Sequence, residues 1–429
     1  MQEEDAMSTM TPVGSRHSRA AATRLRILAA ARELFIENGY RSTSLRDIAA
    51  AASVSHPGLL GHFASKDDLL AELVAELETE NETVFSGIAA ASEPGELVFA
   101  QLAERNAATA GYLELFAALT GEASATGHPA HARMRERYGR LRTLSIDVLE
   151  DAKYHGVIAA DRDVEGETVR HMAGWDGLQL LAQYLPDRVD VVGMLEERES
   201  LWALPLGWRD DDPAPTAAPA GPLPPVFTTT PVETDPGYAT GRRRRAQILA
   251  DAMQLFACAG YGDTSLRDIA EAVGVSKSTL LHHYASKEVL LSAVLAERDN
   301  AISTNQAVAH VASAGALLRS LPDGAEVSAR DEPGLIEVYA VLSCEAVPAG
   351  HPAHDYFTTR FADAVDYFTE MFRLAQLDGD LPEHRDPTHE AVWLIALWDG
   401  LQYQWLYDRE TVDIATHLRA HLADVLPAR

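Results

Sequence analysis

The most constraining feature of this chain is an internal repeat. The heptapeptide Thr-Ser-Leu-Arg-Asp-Ile-Ala occupies residues 43–49 and returns at residues 264–270, a shift of 221 residues. A second block, Gly-His-Pro-Ala-His, occupies residues 127–131 and returns at residues 350–354, a shift of 223 residues. Because the two shifts are nearly equal, both blocks belong to one long repeated unit. We therefore expect a unit of roughly 200 residues, the size of a complete small protein, to fold twice in this chain.

The composition favours helices. Phe, Tyr and Trp make up only 7% of the chain, and the abundant Ala, Leu, Glu and Arg are good helix formers. Two cysteines are too few for a disulfide framework. No apolar run approaches the ~18 residues of a membrane span, and the N-terminus lacks the apolar core of a secretory signal. We expect an all-α protein of two to four domains in the cytoplasm.

The start of each copy predicts a group of short helices. A helical pattern of apolar residues begins near Thr23 and ends at Gly39. Ser44 and Asp47 have the spacing of a capping box, and Ser55 offers a second cap after a tight turn. The same pattern returns in the second copy. Two short helices joined by a tight turn and braced by a longer helix form a helix-turn-helix unit.

Four sequence elements make this prediction specific. They are Leu-Phe-x4-Gly-Tyr, Thr-Ser-Leu-Arg-Asp-Ile-Ala, Val-Ser and Ser-Lys-x2-Leu-Leu, in this order in both copies. Together they resemble the DNA-binding domain of the TetR family of repressors over about 45 residues of each copy. The later block Trp-Asp-Gly-Leu-Gln is similar to the C-terminal helices of many members. The resemblance implies that each DNA-binding domain is followed by a helical body for pairing and effector binding.

A proline-rich segment separates the copies. Eight prolines between Pro213 and Pro236 exclude a helix and favour an extended chain, in which roughly 30 residues could span some 90 Å. Such a linker would let the two copies pair within one chain. We predict a disordered tail at 1–18, a helix-turn-helix domain at 19–66, a helical body at 67–208, the linker at 209–240, a second helix-turn-helix domain at 241–287 and a second body at 288–429.

The charge distribution is compatible with DNA contact by these domains. The chain carries a net charge of −28, yet residues 15–66 contain eight Lys and Arg against three Asp and Glu, and residues 241–287 contain seven against four. Local basic segments on an acidic body suit phosphate contacts that are confined to one end. The runs of arginine before each first helix could serve as an arm that contacts DNA, or could be a solvated start of the domain.

Polar side chains of the recognition helices are the candidate base contacts. In the second copy we expect Leu280 to point into the core and its polar neighbours to face the groove. The resemblance to the family adds Arg46 and Arg267, at the start of the preceding helix, and a lysine that contacts phosphate at the start of the fourth helix. The candidates are Arg46, His56, Pro57, Gly58, Leu60, His62 and Lys66 in the first copy, and Arg267, Lys277, Ser278, Thr279, His282, His283 and Lys287 in the second.

The two recognition helices differ in two positions that matter for base contacts. Gly58 and Gly61 of the first copy replace Thr279 and His282, which removes two side chains and weakens the helix by about 1 kcal/mol each. We therefore expect the first copy to make fewer base contacts and the operator to be an imperfect palindrome. In an alternative, only the second copy reads DNA and the first serves pairing and sensing.

Sequence patterns in the two helical bodies predict function less clearly than the motifs of the DNA-binding domains do. Trp175 and Leu178, with their counterparts Trp398 and Leu401, could form half of a pairing four-helix bundle. His128 and its partner in the Gly-His-Pro-Ala-His block have a spacing that can chelate zinc, although a helix start with proline in its first turn explains them better. Aromatic residues at helical spacing are either core or effector-pocket walls. The candidate pocket residues are Tyr112, Phe116, Tyr138 and His171 in the first body and Tyr339, Tyr356, Phe361 and Trp393 in the second.

From these motifs we hypothesise a transcriptional regulator of the repressor type, which acts at the nucleoid in the cytoplasm. Its expected partners are a double-stranded DNA operator and a small-molecule effector, with no cofactor, metal, membrane or enzymatic activity. The two copies would pair intramolecularly, and an effector would change the separation of the recognition helices. Dimerisation between chains remains the alternative to pairing within one chain.

Overall fold

The described part of the chain is entirely helical. The computed structural model describes residues 13–40, 42–109, 112–209, 223, 239–308 and 313–427, which contain eighteen α-helices and no strand. The predicted all-α class is therefore confirmed. Within these ranges no helix combines the length and apolar character needed to cross a membrane.

Each copy contributes nine helices in the same order. The first copy contains α1 (Val13–Asn38), α2 (Leu45–Ala51), α3 (His56–Leu60), α4 (Lys66–Ala91), α5 (Phe99–Ala108), α6 (Tyr112–Glu122), α7 (His131–Tyr154), α8 (Val164–Tyr184) and α9 (Val191–Leu201). The second copy contains α10 (Ala239–Asp263), α11 (Leu266–Val273), α12 (Lys277–His283), α13 (Lys287–Val308), α14 (Ala314–Asp331), α15 (Pro333–Glu345), α16 (His354–Leu377), α17 (Pro387–Tyr407) and α18 (Ile414–Val425).

The predicted caps define the helix-turn-helix units. Ser44 accepts a hydrogen bond from the Asp47 amide, and the Asp47 carboxylate accepts one from the Ser44 amide, so the capping box is complete. The second copy has the same box at Ser265. Gly39 ends the first helix with φ of +80°, and Gly260 interrupts α10 with φ of +72°, a backbone conformation in which glycine is not strained.

The structure differs from two predicted boundaries. Helix α1 begins at Val13, so residues 13–18 are helical rather than irregular, because the Ala- and Arg-rich segment extends the helix. The second copy begins at Ala239, slightly before the predicted 241. Residues 1–12 of the predicted tail, and nearly all of the predicted linker, lie outside the described residues.

Helices α8 and α17 join the two copies through a close reciprocal contact. A Cβ added to Gly177 of α8 would lie 1.9 Å from the carbonyl oxygen of Ala396, and one added to Gly400 of α17 would lie 1.8 Å from that of Ala173. Gly400 is the repeat counterpart of Gly177, and Ala396 is that of Ala173. The two backbones therefore touch in the self-complementary way of a two-fold axis. Helix α18 packs against both α8 and α17.

Two tyrosines extend the same reciprocal pattern. The Tyr184 hydroxyl donates to the Ser343 carbonyl oxygen at 2.5 Å, and its counterpart Tyr407 donates to the Thr120 carbonyl oxygen at 2.7 Å. Thr120 and Ser343 are themselves repeat counterparts, on α6 and α15. Leu178 and Leu401, predicted at the pairing surface, are fully buried on α8 and α17, and the tryptophans Trp175 and Trp398 are half-buried.

Candidate nucleic-acid interface

The second recognition helix, α12, presents one polar face to solvent. Ser276 caps it by accepting a hydrogen bond from the Thr279 amide. Leu280 is completely buried, as predicted, which fixes the rotation of the helix. The side chains predicted to contact bases then divide by exposure. Lys277, Ser278 and His282 are exposed, whereas Thr279 and His283 are half-buried.

The first recognition helix, α3, is shorter by two residues and has less to offer a base. Gly61 forms its C-cap, so α3 ends where α12 continues into His282 and His283. Leu59 is completely buried, in the place of Leu280. The remaining candidates lie on the outside of the helix: Pro57, Gly58 and Leu60 are exposed, and His56 and His62 are half-buried.

Charged candidates at the neighbouring helix starts differ in availability. Arg46 on α2 and Arg267 on α11 are exposed. Lys66, in contrast, directs its ammonium into its own domain, donating to the Tyr40 and Thr43 carbonyl oxygens at 3.0 Å each and lying 4.3 Å from the centre of the Tyr40 ring. These contacts tie α4 to the turn between α1 and α2. A role of this lysine in phosphate binding stays a prediction.

Lys287 repeats this arrangement in the second copy. Its ammonium lies 3.9 Å from the centre of the Tyr261 ring and donates to the Gly262 carbonyl oxygen at 3.4 Å. The half-buried Lys287 therefore ties α13 to the turn before α11, as its counterpart does in the first copy.

One arginine in each basic segment has a structural role that sequence reasoning missed. Arg24 donates to the His62 carbonyl oxygen at 2.9 Å and stacks over the Phe63 ring at 4.2 Å. Its repeat counterpart Arg245 does the same with the His283 carbonyl oxygen at 3.3 Å and the Tyr284 ring at 4.6 Å. Arg24 and Arg245 occupy equivalent positions in the two copies, and this equivalence in the sequence could have indicated their structural role. Both arginines hold the end of a recognition helix against the first helix.

The repeated histidine block connects each body to its DNA-binding domain. The His128 ring packs edge-on against Tyr40 with centroids 5.1 Å apart, and His351 packs against Tyr261 at 5.2 Å. His131 Nδ1 lies 2.9 Å from the Ala123 carbonyl oxygen. Helix α7 begins at this second histidine, two residues beyond the proline expected in its first turn. Burial, reinforced by Lys287, lowers the pKa of His351 to about 4, and no cluster of three potential metal ligands occurs in the described ranges.

A carboxylate at the end of α15 holds the second DNA-binding domain. Glu345 accepts hydrogen bonds from the backbone amides of Tyr261 and Gly262 at 2.6 and 2.5 Å. The adjacent residues of α15, Ser343 and Cys344, face the first copy: Ser343 receives the Tyr184 hydroxyl, and Cys344 packs where Gly121 leaves space. Three consecutive residues thus join the contact between copies to the helix-turn-helix unit.

Five of the predicted pocket residues line neither of the two cavities described below. The Tyr112 side chain lies outside the described residues. Phe116 is buried beneath the Arg137 guanidinium, and the Tyr138 hydroxyl donates to Asp176 at 2.8 Å. The three other residues belong to the core of the second body. Tyr339 is buried beneath an arginine, Phe361 is fully buried, and Tyr356 lies half-buried at the edge of the core.

The other two predicted pocket residues, His171 and Trp393, line a small cavity between the copies. Its volume is about 20 Å³. Burial, reinforced by Arg198, lowers the pKa of His171 to about 3. Burial also raises the pKa of Glu199, whose carboxylate lies 3.8 Å from His171 Nε2, to about 8. The imidazole and the carboxyl group are therefore both uncharged at neutral pH.

A much larger groove lies between α4 and α7 of the first body. Its volume is about 610 Å³, and it is lined by Glu78, Arg133 and other residues of these two helices and the loop before α7. None of the predicted pocket residues lines it. In the second body the counterparts of Glu78 and Arg133 are Asp299 and Tyr356, which hydrogen bond to each other at 2.6 Å. Arg360 also binds Asp299, at 2.9 Å.

Comparison with known proteins identifies the two domains that carry the recognition helices. The family model described as bacterial regulatory proteins, tetR family, matches residues 27–73 and 248–294. The A-factor receptor protein of Streptomyces griseus is 26% identical over 183 residues, which cover 42% of this chain and 62% of that protein. The HTH-type transcriptional regulator TcmR of Streptomyces glaucescens is 47% identical over 47 residues, 11% of this chain and 21% of that protein. The chain thus spans less than two thirds of either relative.

Solved structures of similar sequence each cover less than half of this chain. A putative TetR-family transcriptional regulator from Rhodococcus sp. is 26% identical, with a TM-score of 0.35 over 43% of this chain and 99% of that chain. AibR, solved in complex with isovaleryl coenzyme A and operator DNA, is 25% identical, with a TM-score of 0.36 over 43% of this chain and all of that chain. The double match of the family model agrees with the repeated helix-turn-helix units. The DNA-binding domain of the TetR family is therefore present twice in this polypeptide, at residues 27–73 and 248–294.

Proposed function

We propose that this chain is a transcriptional repressor whose two copies act as an intramolecular pseudo-dimer on one operator. The observation that carries the proposal is the reciprocal contact of α8 with α17, in which Gly177 and Gly400 occupy equivalent places. A chain that already contains both halves of a two-fold interface can present two recognition helices without a second molecule. Paired helix-turn-helix units bind half-sites about one helical turn apart. Binding to chromosomal DNA would place the protein at the nucleoid.

The recognition helices support unequal reading of the two half-sites. The exposed side chains of α12 include Lys277, Ser278 and His282, all able to hydrogen bond to base edges. Helix α3 exposes Pro57, Gly58 and Leu60 instead, which have no side-chain group that hydrogen bonds to a base. We therefore propose an imperfect palindrome whose better-specified half belongs to the second copy.

A second candidate follows from the same asymmetry. In that case only the second copy binds DNA, and the first copy serves as a pairing and sensing module. The short α3 and its two glycines favour this reading, while the exposed Arg46 at the start of α2 favours DNA contact by the first copy as well.

Footprinting combined with the mass of the complex tests these proposals. The full chain would be incubated with DNA from upstream of its own gene, followed by hydroxyl-radical footprinting and light scattering. One chain that protects two unequal half-sites agrees with the pseudo-dimer. Protection of one half-site only selects the second candidate. Two chains on a symmetric site would contradict the intramolecular proposal.

We further propose that a small molecule releases the repressor by binding a body. The relative from Streptomyces griseus is named as a receptor, for A-factor. The groove between α4 and α7 offers enough volume for a small ligand. Because α4 begins at Lys66, directly after the helix-turn-helix unit, a ligand that wedges α4 away from α7 would move the recognition helix.

A groove-filling substitution tests the location of the effector site. Ala71 is exposed on α4 and lines the groove, so Ala71→Phe would occupy part of it. Ala90 is exposed on the same helix outside the groove, and Ala90→Phe is the matched control. A-factor is the first probe, and the readout is release of operator DNA by fluorescence anisotropy. Loss of release in the first variant alone supports the site. Equal release from both variants would contradict it.

A further inference from the structure

Two ion pairs related by the repeat meet between the copies. Arg162 Nη1 lies 2.9 Å from Glu167 Oε1, and the counterpart pair, Arg385 Nη1 and Glu390 Oε1, is 2.7 Å apart. Asp424 on α18 accepts from both arginines, at 3.4 and 3.1 Å. An Arg-Asp-x3-Glu motif at 162–167 and 385–390 was the sequence signal for this network. It places charges from both copies in one buried cluster.

Two more arginines give this cluster a surplus of positive charge. Arg198 lies 3.0 Å from Glu390, and Arg170 lies 3.3 Å from Glu167. Four guanidinium groups therefore face three carboxylates, and each of these seven side chains is at most 11% exposed. Of the other carboxyl groups nearby, Glu199 has a pKa that burial raises to about 8, and Asp163, close to the Arg170 guanidinium, is exposed to solvent. A buried charge that lacks a counter-charge is strongly unfavourable.

The small cavity between the copies lies inside this cluster. Several side-chain nitrogens that line it have no hydrogen-bond partner within the described ranges. Its lining includes Arg162, Arg170, Arg198, His171 and His421. Over the described ranges, neither ring nitrogen of His171, nor His421 Nε2, nor Arg198 Nε has a hydrogen-bond partner. His171 and His421 are 2% and 5% exposed. A neutral imidazole still carries one N–H donor, so the walls present donors and a net positive charge to whatever occupies the cavity.

We propose that this cavity binds one monatomic anion, of the chloride class, that helps hold the two copies together. The volume of about 20 Å³ suits a single particle of about the size of water. A water molecule would satisfy hydrogen bonds without balancing the charge, whereas a halide does both. Because the site lies between the copies, binding stabilises their pairing, whether or not the chain binds DNA.

Bromide tests the site, since it replaces chloride and scatters X-rays anomalously. The full chain would be dialysed into sodium gluconate, whose anion is too large for the cavity, and titrated with bromide at constant sodium. A millimolar site predicts a rise in Tm of about 3 °C between about 5 and about 200 mM bromide. Crystals grown in bromide should show an anomalous peak between His171 and Arg198. Water-like density without a peak there, or an unchanged Tm, overturns the proposal. A peak without a Tm shift marks an adventitious ion only and overturns it too.

Two variants separate anion binding from general salt effects. Arg198→Gln removes one cavity charge, and the Tm difference between bromide and gluconate should then disappear. Arg419→Gln removes the same charge from the exposed face of α18 and should keep the difference. Each variant is compared with itself in two salts, so a lower overall stability does not affect the result. If Arg198→Gln does not fold, Arg170→Gln takes its place. A full bromide response in the cavity variant would overturn the proposal.

Discussion

At the scale of single residues, Gly177 and Gly400 allow two helices to touch through their backbones. Helix axes usually lie 8–10 Å apart because side chains separate them. Here the Cβ position of Gly177 falls 1.9 Å from the Ala396 carbonyl oxygen, a distance that any side chain would make impossible. The identity of these two residues therefore controls how closely the copies can pair.

Gly177→Ala is expected to lower the free energy of unfolding by about 2 kcal/mol or more, because α8 must move away from α17. Gly139→Ala is the matched control, since a Cβ on Gly139 of α7 meets nothing within 4 Å. That control should raise stability by about 1 kcal/mol through helix propensity. Urea denaturation measures both. Equal effects of the two substitutions would mean that the close contact is absent in solution.

The buried carboxyl group of Glu199 should make the stability of the folded protein depend on pH. Burial raises its pKa from 4.5 to about 8 in the folded state, so the folded protein binds a proton that the unfolded chain has released between these values. The contribution of this group to stability is therefore lost as pH rises from about 5 to about 8. Asp176, with its pKa raised to about 6 by burial, acts in the same direction over a narrower range.

Glu199→Gln should remove this dependence, since glutamine stays neutral. The variant's stability advantage over the unmodified protein should grow by about 3 kcal/mol between about pH 5 and about pH 8. The difference is the diagnostic quantity, because the depressed pKa of His171 changes stability in the opposite direction in both proteins. A difference that does not vary with pH would show that Glu199 is ionised in the folded state.

At the scale of elements, the two recognition helices differ in length and in side chains. Helix α12 has seven residues and α3 has five, since Gly61 ends α3 where α12 continues. Lys277→Ala should weaken operator binding about tenfold, because an exposed lysine that contacts a base or phosphate contributes at this level. His56→Ala, at the same place in α3, should change binding less than about threefold. Arg419→Ala on α18 controls for the loss of a positive charge. Anisotropy titrations that gave equal losses in α3 and α12 would contradict unequal reading.

Helix α15 links the pairing of the copies to the second DNA-binding domain. Glu345→Gln should accelerate amide hydrogen exchange at Tyr261 and Gly262 by about tenfold to a hundredfold, since hydrogen bonds to a charged acceptor contribute about 1.5–3 kcal/mol. Glu288→Gln is the control, because Glu288 accepts from the Tyr261 hydroxyl and not from these amides. Unchanged exchange in Glu345→Gln would show that the carboxylate does not hold this turn.

At the scale of the whole molecule, covalent connection should matter for the concentration dependence of binding. A linker keeps the copies at an effective concentration in the millimolar range. A protease site placed at residues 213–222 would allow the chain to be cut between the copies. The cut protein should lose operator affinity on dilution to about nanomolar concentration, whereas the uncut protein should not. The unmodified chain treated with the same protease is the control. Dilution-dependent binding by the intact chain would instead indicate pairing between molecules.

Much of the fold could be predicted because its determinants are local. The caps at Ser44, Ser55 and their counterparts act within three residues, and the apolar spacing that buries Leu280 acts within one helical turn. The helix breaks before α5, α7 and α17 also follow from nearby glycine and proline. Because each motif and each cap occurs in both copies, the second copy supported every prediction made from the first. The pocket candidates were less predictable, because a buried aromatic residue has the same spacing whether it faces a cavity or another side chain.

The amino-acid sequence by itself determined the all-α class, the two helix-turn-helix units and the polar face of α12, because capping and helical periodicity depend on residues a few positions apart. The tertiary structure decided which distant residues meet. It brought Gly177 against Ala396, turned the Lys66 ammonium into its own domain and gathered four arginines around one small cavity. These outcomes depend on how two bodies of side chains pack and share buried charge, and no local pattern in the chain specifies that packing.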